Sequence, residues 1–198
     1  MKKLILLVFV LGKLAAFAQN EILPAEVQIK TAVMAAPEMF RDGAKVLGYN
    51  EDGELVTLRQ GTNEIICIAD DPDKGGISVA CYGIALEPFM ARGRELAAEG
   101  KNLNEKRDTR KNEIDSGKLK MPSEPAMLYV FSGQEKDYNR ETGELKNGFM
   151  RYVLYKPYMT AESTGLPTTP QAPGMPWLMD ANTHRSHIMI TPVEPEKQ

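Results

Sequence analysis

Between Lys45 and Tyr82 four short β-rich runs alternate with turn-forming clusters, and this alternation commits the chain to a structure built on an antiparallel sheet. Lys45–Tyr49 is followed by Asn50-Glu51-Asp52-Gly53, and Glu54–Arg59 by Gln60-Gly61-Thr62-Asn63. Glu64–Ala69 is followed by the acidic loop Asp70–Gly76, and then comes Ile77–Tyr82. Short runs rich in branched and aromatic residues, joined by Gly/Asn/Asp turns, predict a meander paired in sequence order. Ala126–Ser132 is apolar on both alternating faces, which predicts a central strand, and Phe149–Lys156 is its natural hairpin partner. The polar tip of that hairpin carries Glu141-Thr142-Gly143-Glu144, and Pro157 stops the second strand.

Three helical stretches frame these strands. Ile22, Ala25, Ile29, Ala32 and Val33 share one helical face, and Pro37-Glu38 starts a fresh turn that Gly43 ends. Glu87–Gly100 has Pro88 in its first turn and Gly100 in the position that closes a helix. Asn102–Ser116 has little apolar content, and its interspersed charges read as a solvated face. The expected fold is α+β. An antiparallel sheet, meander plus long hairpin, is covered on one face by helices near 22–36, 87–99 and 102–116, with a Pro-rich C-terminal arm. Val46, Leu55, Ile66, Ile68, Val79, Phe89, Leu96, Leu128, Val130, Tyr152 and Leu154 are the expected core.

Residues 1–18 read as a secretory signal: Lys2 and Lys3, the apolar run Leu4–Leu11, and the small-x-small site Ala16-Phe17-Ala18. Eight apolar residues are too short to cross about 30 Å of hydrocarbon. The expected organisation is a signal peptide over 1–18, one globular domain over 19–191 and a flexible tail over 192–198. Removing the signal and its three lysines takes the net charge from −3 to −6. An acidic exported chain is not expected to bind nucleic acid, which needs a basic footprint. In an oxidising compartment Cys67 and Cys81 can pair. A tight return about Lys74 sets them opposite each other on neighbouring strands, although two buried thiols fit the same positions. The acidic loop places Gly76 correctly for a calcium loop starting at Asp71, but Tyr82 stands where the closing Glu belongs, so a solvated turn is expected.

Chemistry-bearing residues gather in Thr160–Ile190, which holds Trp177, His184, His187 and prolines at 167, 170, 173 and 176. That three-residue spacing matches a polyproline II rod. Asp180, His184 and His187 are candidate metal ligands, but the ligand set is not closed. Ser163 with His184 or His187 is a candidate acyl-transfer pair, without the G-x-S-x-G elbow. Trp177 is a candidate ligand-binding anchor, buried and holding the arm on the sheet. The runs Leu86–Gly100, Ala161–Pro167, Pro173–Met179 and His187–Ile190 resemble a group of secreted bacterial proteins with no assigned activity. The resemblance implies a single secreted domain and no particular reaction. A non-catalytic binding or structural module, with a small molecule or protein as partner and no cofactor, is the leading expectation. A metal-dependent or serine-type hydrolase with its site in 160–190 is the alternative.

Overall fold

The computed structural model describes residues 21–193. The signal at 1–18 and the end of the tail, 194–198, lie outside them. The described chain is α+β. Its strands are β1 Lys45–Tyr49, β2 Leu55–Arg59, β3 Ile65–Ile68, β4 Ile77–Gly83, β5 Ala126–Gly133, β6 Tyr138–Asn139, β7 Glu144–Leu145, β8 Phe149–Tyr155, β9 Trp177–Met179 and β10 His187–Ile190. Its helices are α1 Ala25–Ala32, α2 Glu38–Arg41, α3 Glu87–Ala98, α4 Leu103–Asp115 and α5 Ala161–Thr164, and a 3-10 turn extends α1 over Val33–Ala35.

Eight strands form one sheet in the order β2-β1-β3-β4-β5-β8-β10-β9. The expected meander holds for the β1–β2 pair and is corrected at its second step. β1 lies between β2 and β3, antiparallel to the first and parallel to the second. Burial explains the order. Val46, Leu47 and Gly48 are buried, as a strand paired on both sides should be, whereas β2 is half-exposed throughout and fits an edge. The chain leaves β2, crosses the start of β1 where Gly43 accepts hydrogen bonds from the Thr62 and Asn63 amides, and enters β3 on the far side. The sheet is therefore mixed.

Successive residues along each strand face opposite sides. Val46, Cys67, Val79 and Cys81 meet Ala32, Ala35 and Ala36 of the first helical segment. Leu47, Ile66, Tyr82, Leu128 and Val153 face the other way, with Leu86 and Met90 of the α3 segment against them. The helices thus divide between the two faces rather than sharing one. Cys67 and Cys81 pair in register and are disulfide-bonded, both fully buried. Gln28 ties α1 to the end of β1: its amide accepts from the Tyr49 N–H at 2.8 Å and donates to the Tyr49 carbonyl at 2.8 Å. Gly48 makes room for this, since a Cβ there would lie 2.6 Å from the Gln28 oxygen.

The β5–β8 hairpin carries its own small sheet, β6–β7, at the tip, and the Thr31 hydroxyl of α1 lies 2.8 Å from Tyr138 and donates to the Gly143 carbonyl at 3.0 Å. α4 packs along α3 through polar contacts. Arg92 of α3 reaches Glu113 at 2.9 Å and Glu95 at 3.0 Å, and Arg110 lies over the Phe89 ring, 4.0 Å from its centroid.

The Pro-rich stretch is not a straight rod. It turns at Ala172–Met175, with Gly174 at φ 76°, and then enters the sheet as edge strand β9. Pro176 immediately precedes β9, where a missing N–H costs no ladder bond. Leu178 is fully buried, whereas Trp177 is only partly so. The alternation of the strand gives Leu178 the inward position, and Trp177 shares the opposite side with Met179.

Candidate functional site

β8 ends at Tyr155 and β10 begins at His187, and these paired ends hold two loops together, 156–160 and 180–186. Ser186, fully buried, is the fastener. Its hydroxyl donates to the Lys156 carbonyl at 2.5 Å and accepts the Met159 N–H at 2.9 Å. The Tyr158 N–H donates to the Thr183 carbonyl at 2.8 Å, and the Asn182 N–H to the Met159 carbonyl at 2.7 Å. The Thr183 hydroxyl donates to the Asp180 carbonyl at 2.7 Å. The loops are thus zipped by main-chain and hydroxyl bonds, so side chains on them have fixed positions.

These loops and α4 enclose a polar cleft of about 380 Å³. Arg107, Asp108, Lys111 and Asp115 form the helical wall, and Tyr158, Asp180, Asn182, Thr183, His184 and Arg185 the other. Residues 107 and 111 are one helical turn apart and share a face of α4. Two kinds of irregularity concentrate here. Among the described residues, four non-glycine residues have positive φ, and Tyr158, Asp180 and Asn182 are three of them. Among the described residues, four buried side-chain polar atoms lack a hydrogen bond, and Arg107 Nε, Asp180 Oδ2 and His184 Nε2 are three of those. Asp180 Oδ2 is nevertheless 2.6 Å from Arg185 Nη2. It is neutralised as an ion pair, although the N–H does not point along a hydrogen bond. Arg107 and His184 have no such partner. Backbone strain and unpaired buried polar groups are costly, and folds carry them where binding or catalysis uses them.

His184 is 7% exposed, with its ring edge-on to Phe89 at 6.3 Å between centroids. Burial holds its pKa below the ordinary histidine value, and the positive charges of Arg185 and Arg110 push the same way. Burial thus favours its neutral form, and its side chain lines the cleft. His187 is also buried and stacks on Tyr155 at 4.8 Å. Its Nδ1 lies 2.7 Å from the Arg185 carbonyl, an acceptor, so Nδ1 carries the proton. Burial lowers its pKa too, with that hydrogen bond opposing.

The sequence candidates therefore separate. Asp180 and His184 line the cleft, and His187 does not. Among the described residues no three His, Cys, Asp or Glu side chains are gathered as a metal would need, and Asp180 is committed to Arg185. Ser163 is an exposed capping residue of α5: its hydroxyl donates to the Thr160 carbonyl and accepts the Thr160 N–H. No histidine is among its hydrogen-bond partners. Trp177 lines a different surface, an open groove of about 610 Å³ with Pro170, Pro173, Met175 and Met189. Arg107, Tyr158, Asn182 and Arg185 were not singled out in the sequence. Arg107 lies in a helix whose balanced charges read as a solvated face. The other three lie on loops whose approach to α4 is a tertiary event.

A second feature lies at the carboxyl ends of the parallel strands β1 and β3. Tyr49 and Asp70 line a groove of about 560 Å³ whose wall is formed by Met90, Gly93 and Arg94 of α3. The Asp70 carboxylate accepts the Ser78 N–H at 2.7 Å, yet burial raises its pKa to about 6. Burial, and then the charges of Asp71 and Asp70, push Tyr49 up to about 12.

Comparison with protein-family models, with curated proteins and with solved structures returns no match.

Proposed function

We propose that the protein is an exported, non-catalytic binding module whose ligand site is the cleft between α4 and the 156–160 and 180–186 loops. The observation that supports this is the convergence, in one cleft, of left-handed non-glycine backbone and unpaired buried Arg107 and His184 atoms. A fold that needed these groups for stability would pair them. Polar groups left open on a rigid scaffold are what a ligand completes. Export follows from the signal pattern at 1–18, with which the Cys67–Cys81 disulfide is compatible.

The site reading is tested on the protein without ligand. An orphaned buried polar group costs about 1–3 kcal/mol, so Arg107→Met and His184→Leu should each raise stability by about 1 kcal/mol in denaturant titrations. A loss of stability in both variants would show that the groups serve the fold instead. The export reading is tested by the intact mass of protein secreted from a cell, which should correspond to a chain beginning at Gln19. Retention of residues 1–18 would refute it.

A further inference from the structure

Resting on the reading of this cleft as a ligand site, we propose that its ligand is a small anion, a carboxylate or a tetrahedral oxyanion, bound between Arg107 and Arg185. Charge pairing in and around the cleft is the ground for this. Lys111 is ion-paired with Asp115, and Arg185 with Asp180. The Arg107 side chain has no hydrogen-bond or ion-pair partner among the described residues. Asp108 and Asp115, the other acids of the lining, are exposed at the rim.

Arg110, one turn from Arg107 on the same helix, adds a second guanidinium with no carboxylate partner. It donates to the Lys106 and Phe89 carbonyls and stacks on the Phe89 ring. Three guanidiniums are therefore held near one another, and among them only Arg185 has a carboxylate partner, Asp180. Burial lowers the Arg110 pKa most, and repulsion from Arg185 and Arg107 pushes the same way, with Tyr155 opposing. An anion in the cleft relieves that repulsion and gives the Arg107 fork the acceptor it lacks. A planar guanidinium edge matches either a carboxylate or a phosphate-type oxyanion. A cation would meet the unpaired charge of Arg107, and a purely apolar ligand would leave Arg107 Nε unpaired.

The test is thermal unfolding at constant ionic strength, with chloride replaced in separate arms by acetate, succinate, sulfate or inorganic phosphate. The expected result is a saturable rise in Tm in at least one arm, with one site per chain by titration calorimetry. The arm that saturates separates a carboxylate ligand from a tetrahedral one. In Arg107→Gln the half-saturating concentration should rise about tenfold or more, the worth of a charge-assisted hydrogen bond. Arg107→Lys, which keeps the charge but loses the fork, should fall between and guards against a misfolded Gln variant. Lys118→Gln, away from the cleft, should match the parent. A rise that is linear in every arm and equal in the parent and Arg107→Gln is general salting-out, and overturns the proposal. The outcomes for the two readings are separable. If Arg107→Met and His184→Leu stabilise the chain but no anion saturates, the cleft stands as a site and the anionic ligand class falls.

Discussion

Asp70 is the residue whose charge the fold opposes most clearly, and the sign of its effect can be worked out. Its ordinary value is 3.8 and its folded value is about 6, so between these the native state holds a proton that the unfolded chain releases. Its stabilising contribution is full below pH 4 and is lost as the pH rises through 6. Asp70→Asn keeps an oxygen for the Ser78 N–H and removes the charge. It should raise Tm at pH 7 by about 2–4 °C, about 1 kcal/mol after allowance for solvent screening, and change nothing at pH 4. Melts from pH 4 to 8 check this, and a lower Tm at pH 7 would contradict it. The two histidines act in the opposite sense. Both have folded values below the ordinary 6.5, so their contribution is present above pH 6.5 and is lost as the pH falls through it. Asp70→Asn should therefore unmask a steeper loss of stability as the pH falls below 6.5. At the edge of the sheet, Leu178→Ala should cost about 2–5 kcal/mol, as buried leucines do, and Trp177→Ala less, because its ring is partly in water. A tryptophan beside three prolines looks like the anchor in the sequence. Which of two adjacent residues points inward depends on the register of β9 against β10, which only the folded sheet sets.

Among the elements, the strands were legible because alternation and turn clusters act locally, and so was the opposition of Cys67 and Cys81 across a tight return. The place of β1 between β2 and β3 was not, because it rests on which strand can tolerate an open edge. Serine at both cysteines should lower stability by about 3 kcal/mol, since the bridge closes a loop with a sequence separation of 14. A denaturant midpoint unchanged from the parent would show that burial alone holds β3 to β4. α4 has little support from apolar packing. None of its residues is buried, and Leu103 is 57% exposed. It depends on the Asn102–Glu105 capping box and on Arg92, and the same helix supplies Arg107 to the cleft. Asn102→Ala should weaken it by about 1 kcal/mol, visible as faster amide exchange confined to 103–115. Exchange that instead rises evenly over the sheet would mean that α4 and the core unfold together. The cleft was half legible for the same reason: Asp180 and His184 stand out by residue type, whereas Arg107 becomes a site residue only when α4 docks.

For the molecule as a whole, an eight-stranded open sheet has two free margins. β2 is five residues long and carries Arg59 at its end, features that discourage pairing with another chain. The other margin, β9, would be the more exposed template. The stretch before it closes that margin: the Leu178 N–H, which faces away from β10, is taken by the Pro167 carbonyl at 2.8 Å, and the prolines at 170, 173 and 176 offer no N–H to a newcomer. The Pro-rich stretch that suggested a rod thus covers the edge of the sheet. A Gly/Ser replacement of 168–176 should leave the monomer folded by circular dichroism yet promote concentration-dependent growth in light scattering, as strands of separate molecules join edge to edge. A variant as monodisperse as the parent would assign that protection to other features of the surface. On this view the prolines set how crowded a solution of the protein can become before its sheets find one another.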